Sequence, residues 1–243
     1  MSTRRATVIR TAGMVAAVGS TVLALTACVP FVNAGDRTTE DRDIDDASEI
    51  VFRTAGDLTV RLGDAPALTV TGGENVLQRL STEVDGDRLV IEVGRGPLIV
   101  GEQDLDIDVT VTSLQSVVIE GSGDVSAEFG DASEVSLDIR GSGEIETDRV
   151  DAESVDASIS GSGSIMVEGR TDRLAVNVSG SGDIDAGGLS AQSAQIVLSG
   201  SGGVSVDVSD SLDVTLSGSG TVRYSGRPEI RSTISGSGRI EPS

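Results

Sequence analysis

The chain has 243 residues, 31 of them glycine, with 39 acidic against 18 basic side chains, three Phe, one Tyr and no Trp. There is no His, and all 18 basic residues are Arg because no Lys occurs. A Ser-His-Asp triad, a Cys-His dyad, a Ser-Lys pair, a Schiff-base lysine and a Walker P-loop each need a residue that is missing. A net charge of −21 also opposes binding to nucleic acid.

Residues 1–27 predict a lipoprotein signal peptide. Arg4, Arg5 and Arg10 precede an uncharged stretch from Thr11 to Leu25, which ends in Leu25-Thr26-Ala27-Cys28. That stretch is shorter than the roughly 20 residues a spanning helix needs. Leu25, Thr26 and Ala27 resemble the recognition site of the lipoprotein signal peptidase. Cys28, the only cysteine, is then the expected site of lipidation and the new N-terminus. Thr3-Arg4-Arg5 has the pair of a twin-arginine signal, but Thr7 stands where that signal wants a large apolar residue, so the general secretory route is expected. The mature chain would carry a net charge of −24 and no internal disulfide. With such a charge the lipid, not electrostatics, has to hold it at the membrane.

From Cys28 to Ser48 the chain is polar and acidic with no apolar period, and it predicts a flexible stalk. The rival for its acidic run, Glu40 to Asp46, is a cation site, disfavoured because nothing rigid positions the carboxylates. Residues 49–243 are the expected head domain. Leu58-Thr-Val-Arg-Leu62, Leu68-Thr-Val70 and Leu105 to Val111 alternate as strands do. Asp85-Gly86 between two such runs predicts a hairpin, and a helical pattern is possible only near Asn75 to Leu80. Whether 49–112 form solenoid coils or a separate sandwich-like part stays open.

Seven Gly-Ser-Gly units follow, starting at Gly121, Gly141, Gly161, Gly180, Gly200, Gly218 and Gly236, at spacings of 18–20 residues. Two residues before each stand Ile119, Ile139, Ile159, Val178, Leu198, Leu216 and Ile234. Four residues after each first glycine stand Val125, Ile145, Ile165, Ile184, Val204, Val222 and Ile240. A third column holds Val117, Leu137, Ala157, Val176, Ile196, Val214 and Ser232. One residue kind recurring at one phase fits an all-β fold, a parallel β-helix or solenoid of two or three short strands per coil, with Gly-Ser-Gly at a corner. Asp138, Ser158, Asn177 and Thr215 then face water, and the corner hydroxyls are expected to hydrogen-bond along the stack. A membrane barrel is disfavoured by the missing aromatic girdles and short strands.

The Gly-Ser-Gly-x-[Ile/Val] units, Tyr224-Ser-Gly226-Arg-Pro228 and the Val84-Asp-Gly86-Asp-Arg-Leu89 hairpin resemble the head GIN domain family of auto-transporter adhesins, over about residues 50 to 241. The resemblance implies an exported or lipid-anchored β-helix and brings no catalytic residues. After Ile240 only Glu-Pro-Ser remains, so no translocation barrel is expected.

No cofactor or metal is expected. The residue after each Gly-Ser-Gly is Asp124, Glu144, Ser164, Asp183, Gly203, Thr221 and Arg239, which is no repeating carboxylate for calcium, although loose surface calcium stays open. Seven equivalent serines without a base are not nucleophiles. Coils of 18 to 20 residues leave no long inserted loops to wall a polysaccharide-cleaving cleft. The expectation is a non-enzyme outside the cytoplasmic membrane, held there by lipid and displaying an acidic solenoid to envelope proteins or surface polymers. The alternative is a structural or regulatory envelope module partnering a membrane signalling protein.

Overall fold

The structure is a computed structural model that describes residues 31–96, 98–100 and 104–243. It is nearly all β, a solenoid of about six turns. The segment before the repeats supplies β1 (Phe31–Asn33), β2 (Arg37–Arg42), β3 (Glu49–Phe52), β4 (Asp57–Leu62), β5 (Ala67–Gly73), α1 (Glu74–Leu77), β6 (Leu80–Asp85), β7 (Arg88–Val93), β8 (Leu98–Val100) and β9 (Asp106–Val111). The repeats supply β10 (Ser116–Ile119), β11 (Asp124–Ala127), β12 (Glu134–Ile139), β13 (Glu144–Gly161), β14 (Ser164–Gly180), β15 (Asp183–Gly200), β16 (Gly203–Gly218), β17 (Thr221–Gly226), β18 (Glu229–Gly236) and β19 (Arg239–Pro242).

Repeats of nearly equal length stack the coils in register at each corner. Ile159 pairs with Val178, Val178 with Leu198, Leu198 with Leu216 and Leu216 with Ile234, all in parallel ladders. In the middle of the stack the coil is not two or three short strands. β13 to β15 each run 17–18 residues from one Gly-Ser-Gly to the next, and where they bend the pairing shifts register, as between Glu146 and Arg149 and between Ala186 and Ser190.

The corner needs glycine for two reasons. Gly161 sits at φ 144°, in the region closed to side chains, and a Cβ there would lie 2.1 Å from the carbonyl oxygen of Gly141 one coil below. Glycine is therefore stacked on glycine. The hydrogen bonds that run along this stack are made by backbone, not by the serine hydroxyls: the Ser142 N–H donates to Gly121 O, and the Ser162 N–H to Gly141 O.

The three columns build the core. Val117, Leu137, Ala157, Val176, Ile196 and Val214 are buried, as are Ile119 to Leu216 and Val125 to Val222 in the two columns flanking the corner. Small branched side chains repeated every coil fill the interior without rings. Phe52 and Phe129 are buried among these aliphatic side chains.

Residues 49–112 belong to the same stack, so the separate sandwich is ruled out, but their spatial order departs from chain order. β3 and β4 lie under β10 and β11, whereas β7 and β9, later in the chain, lie under β3 and β4. β5 and β6 then run antiparallel along β9 and β7 at the outer edge. The expected hairpin forms between β6 and β7, with Asp85 opposite Arg88 and Gly86 at φ 64°. The helical hint near residue 75 is a single turn, α1.

The flexible stalk over 28–48 needs correction. Its second half is strand β2, paired antiparallel with β5 from Arg37↔Gly73 to Arg42↔Leu68. An edge strand with both faces wet carries no apolar period, and β2 is held through its backbone. The Arg42 guanidinium also donates to the carbonyls of Leu77 and Leu80, closing the end of α1. Just beyond, the Asp46 carboxylate accepts from the Thr112 backbone and hydroxyl, which pull its pKa below the usual carboxylate value.

Candidate binding faces

The signal residues Leu25, Thr26 and Ala27 and the lipidation candidate Cys28 lie outside the described residues. What the structure does place is the outer surface of the coils.

Alternation along the strand entering each corner turns every second residue outward, and the register lines these residues up. One such ladder runs Ser136, Asp156, Ala175, Gln195, Asp213 and Arg231. Its neighbour runs Asp138, Ser158, Asn177, Val197, Thr215 and Thr233. Asp138, Ser158, Asn177 and Thr215 all reach solvent, as expected. The rungs recur about every 4.8 Å. A shallow groove of about 550 Å³ crosses this face between Glu134, Asp156, Arg173, Gln195 and Asp213.

A second shallow groove, about 470 Å³, lies where the long strands bend between corners. Arg170 Nε donates to Asp151 Oδ1 at 2.9 Å, an interaction that holds the Asp151 carboxyl below and the Arg170 guanidinium above their ordinary pKa values. Across the groove the hydroxyls of Ser190 and Ser225 donate to Asp207, and Gln192 donates to Asp172. Its carboxylates are thus already engaged by neighbouring coils.

A charge ladder that sequence reasoning missed runs beside the corner. Glu92, Arg53, Glu120 and Arg140 occupy the same position on four successive coils and alternate in sign. Arg53 Nε reaches Glu120 Oε2 at 2.7 Å, Arg140 Nη1 reaches Glu120 Oε1 at 2.8 Å, and Arg53 also faces Glu92 at 3.6 Å. Hydrogen bonding from Arg53, then the charges of both arginines, hold the Glu120 pKa below its ordinary value. The alternation is invisible in the text because β7 sits below β3. Among the described residues no group of three or more His, Cys, Asp or Glu is placed to hold a metal ion.

The family model described as "Putative auto-transporter adhesin, head GIN domain" matches residues 47–228. The chain belongs to the head GIN domain family. Among curated proteins no sequence match was found. Three solved structures are similar to this head GIN chain. A "putative adhesin" from Bacteroides fragilis is 20% identical, with a TM-score of 0.83 over 87% of this chain and 100% of its own. A "putative lipid binding protein" from Parabacteroides distasonis is 28% identical, with a TM-score of 0.73 over 88% of this chain and 99% of its own. A "putative adhesin" from Parabacteroides merdae is 20% identical, with a TM-score of 0.72 over 88% of this chain and 99% of its own. These likenesses show that the solved structures share the fold of this chain.

Proposed function

We propose that this chain is a lipid-anchored protein of the cell envelope whose solenoid binds envelope proteins or surface polymers without catalysis. The adhesin description of the family supports a binding role at the cell surface. The observation that carries the reading is the in-register polar ladder from Ser136 to Arg231, with its shallow groove. A repeating partner meets side chains, most of them polar, at a regular spacing, so many weak contacts add up. The two grooves are open rather than walled, and the carboxylates of the bend are tied to Arg170, Gln192 and serine hydroxyls. That engagement supports a part in joining coils rather than in acid–base chemistry for the carboxylates of the bend. No helix among the described residues is long and apolar enough to cross a membrane, which is compatible with attachment through Cys28.

Two experiments test the two halves of the proposal. Cys28→Ala should abolish lipid labelling and release the protein from membranes; normal labelling of the variant overturns the anchor. The whole protein should be retained on purified wall polymer or capture an envelope protein after cross-linking in intact cells. Retention that is unchanged when Asp156 and Gln195 are both replaced by Leu removes the ladder as the binding face.

A further inference from the structure

Among the described residues, nothing covers the last coil of the stack. β18 pairs with β16 on one side, and among the described residues no strand pairs with its other edge. Every residue of β18 is exposed, including Ile230 and Ile234, at 38% and 45%. Their counterparts one coil below, Leu212 and Leu216, are fully buried. An edge of this kind offers unpaired N–H and C=O groups to another strand.

The direction of those groups follows from the stack. In each coil the outward-facing residues donate downward: Ser136 N–H to Gln115 O, and Arg140 N–H to Ile119 O. The inward-facing residues therefore point their N–H and C=O upward. On β18 these are Ile230, Ser232 and Ile234, whose side chains also face the core column.

We propose that a second copy of this chain closes the open end, with the two β18 strands pairing antiparallel about a two-fold axis through Ser232. The pattern of the strand selects this occupant and this register. Across an antiparallel pair, residues directly opposite share a face. With the axis at Ser232, Ile230 lies opposite the partner's Ile234 and Ile234 opposite the partner's Ile230, so both exposed apolar residues are covered twice over. Arg231 meets the partner's Thr233, and Glu229 the partner's Ser235, so no like charges are opposed. An axis at Arg231 would set Arg231 against its own copy, and one at Thr233 would leave both isoleucines facing Ser or Gly. A two-fold pairing needs a strand that reads alike in both directions, and Ile230-x-Ser232-x-Ile234 does so on its inner face. Ser232 is also the one polar member of its column, after Val117, Leu137, Ala157, Val176, Ile196 and Val214. It stands on the two-fold axis, where a small hydroxyl meets its own image across a hydrogen-bonded pair. Pro228, which has no N–H to give, ends the pairing opposite the partner's Gly236.

The test is made on the full chain in intact cells. Ser232→Cys, treated with a short thiol-to-thiol cross-linker, should give a band of twice the monomer mass. The native chain, whose only cysteine is Cys28, and a Ser235→Cys variant should give at least about tenfold less, because Ser235 lies opposite Glu229 of the partner. Ile234→Arg added to Ser232→Cys should lower the yield by a similar factor. Because Ile234 is exposed in the single copy, that variant keeps the fold, checked by an unchanged urea midpoint at a protein concentration low enough for the native chain to be a single copy. A monomer at every expression level, equal yield from positions 232 and 235, or cross-linking of Ser232→Cys to a different protein would each overturn the proposal.

Discussion

The two ends of the solenoid are built from the same ladder and finished in opposite ways. At the N-terminal end the parallel stack changes to antiparallel: β5 and β6 run back along β9 and β7, and β2 runs along β5. α1 then lies over the core, burying Val76 and Leu77, while Arg42 holds the carbonyls at its end. At the C-terminal end β18 continues the parallel ladder by one more rung, and its isoleucines stay exposed. A repeat specifies how each coil meets the next but has no means of stopping, so an end has to be made by sequence that breaks the repeat. This chain spends residues 34–48 and 67–85 on one such end. The other end keeps the repeat's own inner pattern, which is why it can accept another strand.

The largest contrast should appear at the corners. Gly200 is held between Gly180 below and Gly218 above, and a Cβ would lie 1.9 Å from Gly180 O at a φ of 139°. Gly236 has the same kind of contact, 2.3 Å from Gly218 O, but no coil above it among the described residues. Gly200→Ala is expected to cost about 4 kcal/mol or more, since neither neighbour can move away. Gly236→Ala should cost about 1 kcal/mol, because the last coil can lift. Urea unfolding of the two variants measures the difference. Equal losses would mean that the last coil is as confined as the middle ones.

A smaller contrast lies in the apolar residues that close or leave open each end. Leu77→Ala should destabilise by about 3 kcal/mol, as a buried leucine over a packed core. Ile234→Ala should change the single copy by less than about 0.5 kcal/mol. If instead Ile234→Ala costs as much as Leu77→Ala at low protein concentration, the open end is already covered within one copy.

How far the sequence revealed this architecture depended on repetition. Fourteen glycines and three aliphatic columns at one phase state the coil, its corner and its core without further help. Where the chain stops repeating, local text loses its meaning. Arg37-Thr-Thr-Glu-Asp-Arg42 has no apolar side because both faces of β2 are wet, so it looks like a tether although it is sheet. The alternating strands of 49–112 were legible one by one, but their stacking order was not, since nothing local tells β7 to pass beneath β3. The serine hydroxyls illustrate a different gap: the sequence supplies a donor at the corner, and the backbone N–H of the same residue makes the bond. For the binding faces, the outward polar rungs could be read from alternation. The Glu92, Arg53, Glu120 and Arg140 ladder could not, because it exists only after the coils are reordered.

That ladder gives the smallest of the expected contrasts and ties it to pH. Glu120 has a folded pKa below its unfolded value near 4.5, chiefly through the hydrogen bond from Arg53. The depressed carboxylate pKa contributes stability that is fully present above the unfolded value and is lost as pH falls through the folded one. Both arginines are more than two-fifths exposed, so solvent screening limits the contribution to about 0.5–1 kcal/mol. Glu120→Gln should therefore lower stability by that amount at pH 7, and the gap to the native chain should close as the pH falls below about 4.5 and through the lowered folded value. High salt should narrow it at neutral pH. At the open end Glu229 pairs with Arg231 on a strand where both side chains are largely in water, and Glu229→Gln should leave the stability of the single copy unchanged. A pH-independent loss from Glu120→Gln would assign the effect to packing of the side chain rather than to its charge. The alternating ladder would then be a consequence of the stacking order and not one of the interactions that hold the antiparallel end to the repeats.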